Sequence, residues 1–516
     1  MYRRFVLSLL FFMTLSFLHS EEDCLSLYLG SGDLELDPHK AVNTTEAQLF
    51  TGIYEGLVTY HPSTMKPLPG LAAWWKLSDD KLTWTFYIRE EARYSNGDKI
   101  TAEHFRQSWL KSLSPERGSY FSSLLDVVKG ASDYRNGLVG PEEVGIRVED
   151  DNKFIVTLNE PAPHFLSIIC HFSFVPIHPV MKNIEDWSRV RNIPVSGPYH
   201  FRSNQKGRMV LEINPYYWDR DSIDIETIEV TTGRDSQAVM RKFNRFEQDW
   251  IMSGYNTQLL SNPYGMVLSP LFGTTYYYFN NRDTPWDKSE VRRALALLLP
   301  WAQIYQQQPI PAHTLVPPIG DYPSPAVPMN QNIEEAMALL EKAGYPAGKG
   351  LPEIVIRIPS SLWGDYVPIW MKKVWEDTLE TTVRIETIPV ENYYDSLPEA
   401  GYTLGHLSWA GDYADPMTFL QMWQSESSFN DAAYYNEEYD ALLELSTGAS
   451  EEERFNELSE AEKYLLESGE VLPLAHFPAI HMLDLRFLGG WYANALDIHP
   501  FKYIYRKNDA PIPNTT

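Results

Sequence analysis

Apolar residues alternate with polar ones in short runs along this chain and recur every three or four residues in longer runs, the mixed signature of an α/β protein. Leu25, Leu27 and Leu29 predict a first strand ended by Gly30-Ser31-Gly32, and Asp37-Pro38 then opens a turn into a helix over 47–54. Leu82, Trp84, Phe86 and Ile88 alternate with Thr83, Thr85 and Tyr87, which reads as a half-buried strand. Thr101 is placed to cap a helix carrying Phe105, Trp109 and Leu113. Runs at 146–148 and 154–158 flank Asp150-Asp151-Asn152 as a hairpin, and a further strand is expected over 209–213.

In the second half, strong β-formers crowd 274–281, a helix follows over 291–299, and 312–328 is a proline-rich loop. Asn332 caps a helix that runs to Ala343 and stops at Gly344. Strands at 354–358 and 383–388 flank a helix at 365–379, a βαβ unit. Ser450 and Glu453 have capping-box spacing for a helix reaching Leu466, and a last extended run includes Leu472-Pro473-Leu474.

Length and charge narrow the class. A chain of 516 residues implies more than one domain. Arg3-Arg4 followed by an apolar run over 5–18 and Ser20 reads as a secretory leader over 1–20, to be removed on export. Cys24 follows Glu21-Glu22-Asp23 rather than small apolar residues, so no lipid is expected on it. A net charge of -26 argues against nucleic acid or an anionic membrane as partner. In an exported chain Cys24 and Cys170 could form a disulfide, a pairing the sequence leaves open. His164, His171 and His178 are evenly spaced, but prolines at 161, 163, 176 and 179 interrupt any helix there, so neither a metal site nor a cofactor is expected. The chain carries no G-x-S-x-G elbow, H-E-x-x-H, P-loop or G-x-G-x-x-G pattern, which favours binding over catalysis.

The candidate chemistry lies in 404–423, where Trp409-Ala410-Gly411-Asp412-Tyr413 precedes Ala414-Asp415-Pro416. Asp415, directly before proline, reads as a helix cap and leaves the functional count. Asp412 admits two readings: an Asx-turn onto nearby backbone N–H groups, or an anion beside an aromatic wall that holds a cationic amine.

The segment W-A-G-D-Y-A-D-P-x-x-F-L at 409–420 resembles a signature of the periplasmic oligopeptide- and dipeptide-binding proteins, extracellular solute-binding family 5. L-D-P-H-K at 36–40, I-Y-E-G-L-V at 53–58, P-L-P-G-L-A-A-W-W at 67–75, S-N-G-x-x-x-T-A-x-x-F at 95–105 and A-x-x-L-L-x-x-A-G-Y at 336–345 extend the likeness in order. It implies a type II periplasmic-binding-protein-like α/β clamp of two lobes with an extra small α/β domain. The expected boundaries are 21–54, 171–274 and 477–516 for lobe I, 55–170 for the small domain and 275–476 for lobe II. It further implies a periplasmic, monomeric protein that captures peptides and delivers them to the permease subunits of an ABC importer, without turnover.

By the same resemblance Asp412 would hold the peptide's α-amino group, with Trp409, Ala410, Gly411 and Tyr413 around it. Thr44, Tyr120 and Tyr276 would also face the ligand. Two departures stand out: His406 where oligopeptide-binding members carry arginine, and Phe477 where they carry tyrosine. A histidine facing a ligand carboxylate would make affinity fall as pH rises through its pKa, and the alternative for His406 is a cleft-lining or packed neutral ring. Metal-chelate or haem binding on the same fold, and an adhesin or scaffold role, remain alternatives.

Overall fold

The computed structural model describes residues 24–507 apart from 31, 117, 118, 191, 363, 428 and 449. The expected leader at 1–20 lies outside the described residues. The chain divides into two compact units, Met1–Ser269 with Ala479–Thr516, and Pro270–Pro478. The division falls inside two long strands, Met266–Phe279 and Val471–Leu483.

In the first unit Cys24–Tyr28 lies parallel to Thr227–Thr231 on one side and to Trp250–Ile251 on the other. Arg208–Ile213 and Tyr199–Gln205 extend the sheet antiparallel. Leu25, Leu27, Leu211, Ile228, Val230 and Trp250 form its core, as the alternation of Leu25 and Leu27 requires. Within this unit Ala72–Leu77, Thr83–Ile88, Lys153–Thr157 and Ile146–Asp150 make a separate four-stranded antiparallel sheet. The helix Ala102–Ser112 starts from a Thr101–His104 capping box and buries Phe105 and Trp109. Cys24 and Cys170 are both free thiols. His171 packs its ring on Phe121 and Phe172, while His178 pairs with Asp98, so each serves its own neighbourhood.

The second unit is built on the expected βαβ. Ile354–Pro359 runs parallel to Val383–Ile388, and the joining helix Tyr366–Thr378 buries Met371 and Trp375. Ile333–Ala343 is capped by Asn332 and ends at Gly344, whose φ of 92° is the left-handed conformation that glycine adopts without strain. Leu404–Ala410, to which the sequence pattern assigned no element, is a strand, parallel to Ile354–Pro359 and antiparallel to Met266–Phe279. Gly405 stands directly opposite Tyr278, and a Cβ there would come within 2.6 Å of the Tyr278 hydroxyl. The glycine that weakens the strand signal is therefore demanded by the tyrosine across the ladder.

Candidate functional site

The strand Leu404–Ala410 delivers the chain into a turn over 411–416 whose two ends are both fixed. At the first end, the Gly411 N–H donates to Phe272 O at 2.7 Å, and a Cβ on Gly411 would lie 2.8 Å from Thr418 Cγ2 and closer still to the Phe272 ring. Gly411 is thus required by packing within the unit. At the other end, Asp415 Oδ1 accepts from the Met417 N–H at 2.9 Å, just before the helix Met417–Leu420. The same carboxylate receives Arg454 Nη1 at 2.8 Å and Nη2 at 2.6 Å. Asp415 and Arg454 are only 5% and 3% exposed, so this is a buried, two-pronged ion pair. Trp409 ties the turn together from above, donating its Nε1–H to Thr418 O at 3.0 Å.

Between these anchors stands Asp412. It is half-buried, and among the described residues its carboxylate has neither a hydrogen bond nor an ion pair. The Asx-turn reading required bonds to neighbouring N–H groups, and the side chain makes none. Burial lifts its pKa above the ordinary carboxylate value, the mark of a charge that is partly desolvated and uncompensated. An aromatic wall lies along the strand leading into the turn: Trp409 meets Phe429 edge-to-face at 6.1 Å, and Phe429 is largely exposed. Ala410 is exposed at the strand's end.

Residues 66–431 match the family described as bacterial extracellular solute-binding proteins, family 5, middle. The chain belongs to that family. The periplasmic oligopeptide-binding protein OppA of Salmonella typhimurium is 28% identical over 506 residues, 93% of this chain and 91% of its own. Among solved structures, the unliganded open form of the periplasmic murein tripeptide binding protein MppA superposes with a TM-score of 0.84 at 24% identity, covering 94% of this chain and 98% of that one. The Haemophilus influenzae OppA complex with RPPGFSPFR gives 0.63 at 26% identity over 94% and 99%. The fold is the type II periplasmic-binding-protein α/β fold of these relatives, which are named as binding proteins, not enzymes. Among the described residues no helix is long and apolar enough to cross a membrane.

For this family-5 chain the structure redistributes several residues singled out from sequence. His406 is 7% exposed, its ring edge-on to Tyr277 at 5.1 Å, and burial pulls its pKa down to about 4. Of the two readings of His406, a carboxylate contact or a packed neutral ring, this burial favours the packed ring. Tyr276 is fully buried, and among the described residues its hydroxyl has no hydrogen-bond partner, so it packs as a core residue of the strand Met266–Phe279. Tyr413 is likewise buried, and burial pushes its phenol well up. Asp415, expected only to cap, also carries the Arg454 pair. Phe477 is half-buried with its ring against Gly273.

The remaining two belong to the first unit. Thr44 is the exposed first residue of the helix Thr44–Ile53, next to a turn where Glu46 accepts from the N–H groups of Glu35, Val42 and Asn43. Tyr120 is 76% exposed and edge-on to Phe121. Beside the segment Trp409–Asp412 the structure adds Phe429 against the Trp409 ring and Arg454 against Asp415, two residues that sequence reasoning passed over. A signal for Arg454 existed: it is the one arginine of the helix Glu451–Glu467, whose first turn is otherwise acidic.

Proposed function

We propose that this protein is an extracytoplasmic peptide receptor that grips the α-ammonium of its ligand with Asp412 and hands the peptide to an ABC-type importer, binding without turnover. The observation that carries the reading is the half-buried Asp412 carboxylate with no partner of its own. Such a group is costly to hold unless something cationic completes it. The cation every peptide with a free N-terminus shares is its α-amine, with an ordinary pKa near ~8 and therefore charged at neutral pH. Aromatic surface at Trp409 and Phe429 suits the apolar parts of a first residue, and backbone-directed contacts would let the receptor accept many sequences. The names of the relatives agree with this reading, oligopeptide for one and murein tripeptide for another.

Native mass spectrometry of protein purified from its own host tests the proposal. A ladder of co-purified peptide masses supports it. A single haem, metal-chelate or other non-peptide mass would replace peptide with that ligand class.

A further inference from the structure

We propose that Arg454 is a positioning residue for amine recognition: by engaging Asp415 it leaves Asp412 as the sole uncompensated carboxylate of the turn and holds that turn in its binding shape. This rests on the reading of Asp412 given above.

Two carboxylates stand three residues apart on one short turn. Left alone, they would repel each other, and a ligand ammonium could settle on either. Arg454 removes the ambiguity. Its Nη1 meets Asp415 Oδ2, its Nη2 meets Oδ1, and Oδ1 also takes the Met417 N–H, so both carboxylate oxygens are engaged inside the unit. The charge at 415 is neutralised where water does not reach, and the charge at 412 is not.

The guanidinium is itself rigidly carried. The helix Glu451–Glu467 opens with a Ser450–Glu453 capping box, and the Arg454 N–H closes its first turn onto Ser450 O at 2.8 Å. One and two turns further along the same helical face, Leu458 is buried and Glu462 accepts from the Val316 N–H at 2.9 Å and the Tyr322 hydroxyl at 2.7 Å. A fork mounted on a helix locked at three successive levels sets the far end of the turn, as Gly411 on Phe272 sets the near end. Lysine could supply the charge but not the two parallel bonds.

The test compares trialanine with N-acetyl-trialanine by calorimetry, well below each protein's melting midpoint, on wild type, Arg454→Met, Arg454→Lys and the double variant Asp415→Asn/Arg454→Met. The double variant strands no buried charge and keeps the test alive where the single methionine variant does not fold. The readout is the preference for the free over the acetylated peptide. Loss of positioning by about 1 Å can cost on the order of 100-fold, so that preference should fall about 10- to 100-fold in both methionine variants and recover in part with lysine. A merely structural pair would lower the melting midpoint and leave the preference intact. An unchanged preference in both methionine variants overturns the inference while the Asp412 reading stands. If wild type itself shows no preference, both fall together.

Discussion

Tyr322 donates its hydroxyl to Glu462 across 2.7 Å, and both side chains are buried. Burial pushes the Glu462 carboxyl up to about 7, far above its ordinary value of 4.5. A raised folded-state pKa means that folding favours the protonated acid. Its contribution to stability is complete below pH 4.5 and is lost as pH rises through about 7. The Glu462 contribution should therefore lower urea midpoints between about pH 4.5 and about pH 7 and level off above that, and Glu462→Gln should lessen the decline in that window. Equal slopes for the two proteins would show that Glu462 does not govern it.

Removing the proposed anchor gives the sharpest binding test. Asp412→Asn keeps the shape but leaves the ligand ammonium without its counter-charge, a loss of ~2 to 5 kcal/mol, or roughly 30- to 4000-fold in affinity. N-acetylation of the peptide should weaken wild type similarly, and the two changes together should cost much less than their sum. Equal affinity of Asp412→Asn for free and acetylated peptides, at the wild-type level, would make Asp412 a bystander.

Asp415 reports on stability first. Viewed as a cap alone, Asp415→Asn would be nearly silent, because asparagine caps as well as aspartate. The Arg454 pair changes that expectation: Arg454→Ala takes the counter-charge from a buried carboxylate, which typically costs ~3 to 5 kcal/mol. Asp415→Asn should also destabilise, since it strands the guanidinium instead. Denaturant unfolding of the two variants checks both. A shift below about 0.5 kcal/mol, the usual surface value, would contradict the buried pair.

Histidine protonation should appear in stability and not in binding. His406 is held near pKa 4, as is His39, and His171 near 3, each below the ordinary 6.5 because burial disfavours the cation. Folding thus favours the neutral rings: their contribution is intact above pH 6.5 and drains away as pH falls from there toward 4. His406→Phe, which fills the place against Tyr277 without titrating, should lessen the acid loss. Peptide affinity should be flat between about pH 6 and 7, below the range where the ligand amine titrates. A histidine-like step in affinity there would restore the direct role for His406 that its burial argues against.

The capped helices and the βαβ unit were legible because their signals are local: Asn332 and Gly344 punctuate one helix, and Ser450 with Glu453 opens another. Strand faces were harder to read. Tyr276, Tyr277 and Tyr278 are all buried, so the strand is covered on both sides and offers no alternation to say which ring faces outward. The strand Leu404–Ala410 was obscured by Gly405, whose reason lies across the ladder at Tyr278. Asp412 and Asp415 look equivalent in the sequence. What separates them is an arginine 39 positions beyond Asp415, a pairing that exists only after folding.

That arginine also lies past residue 431, where the match to the family ends. A fragment trimmed at that edge would keep every letter of W-A-G-D-Y-A-D-P and still lose the guanidinium, and with it the second hold on the turn. Asp415 would then have to take up a proton or swing toward water, and the excised piece would score as a faithful copy while lacking one anchor of the turn. Gene libraries and chimaeras that exchange this region should carry the chain through at least Pro478, where the second unit closes.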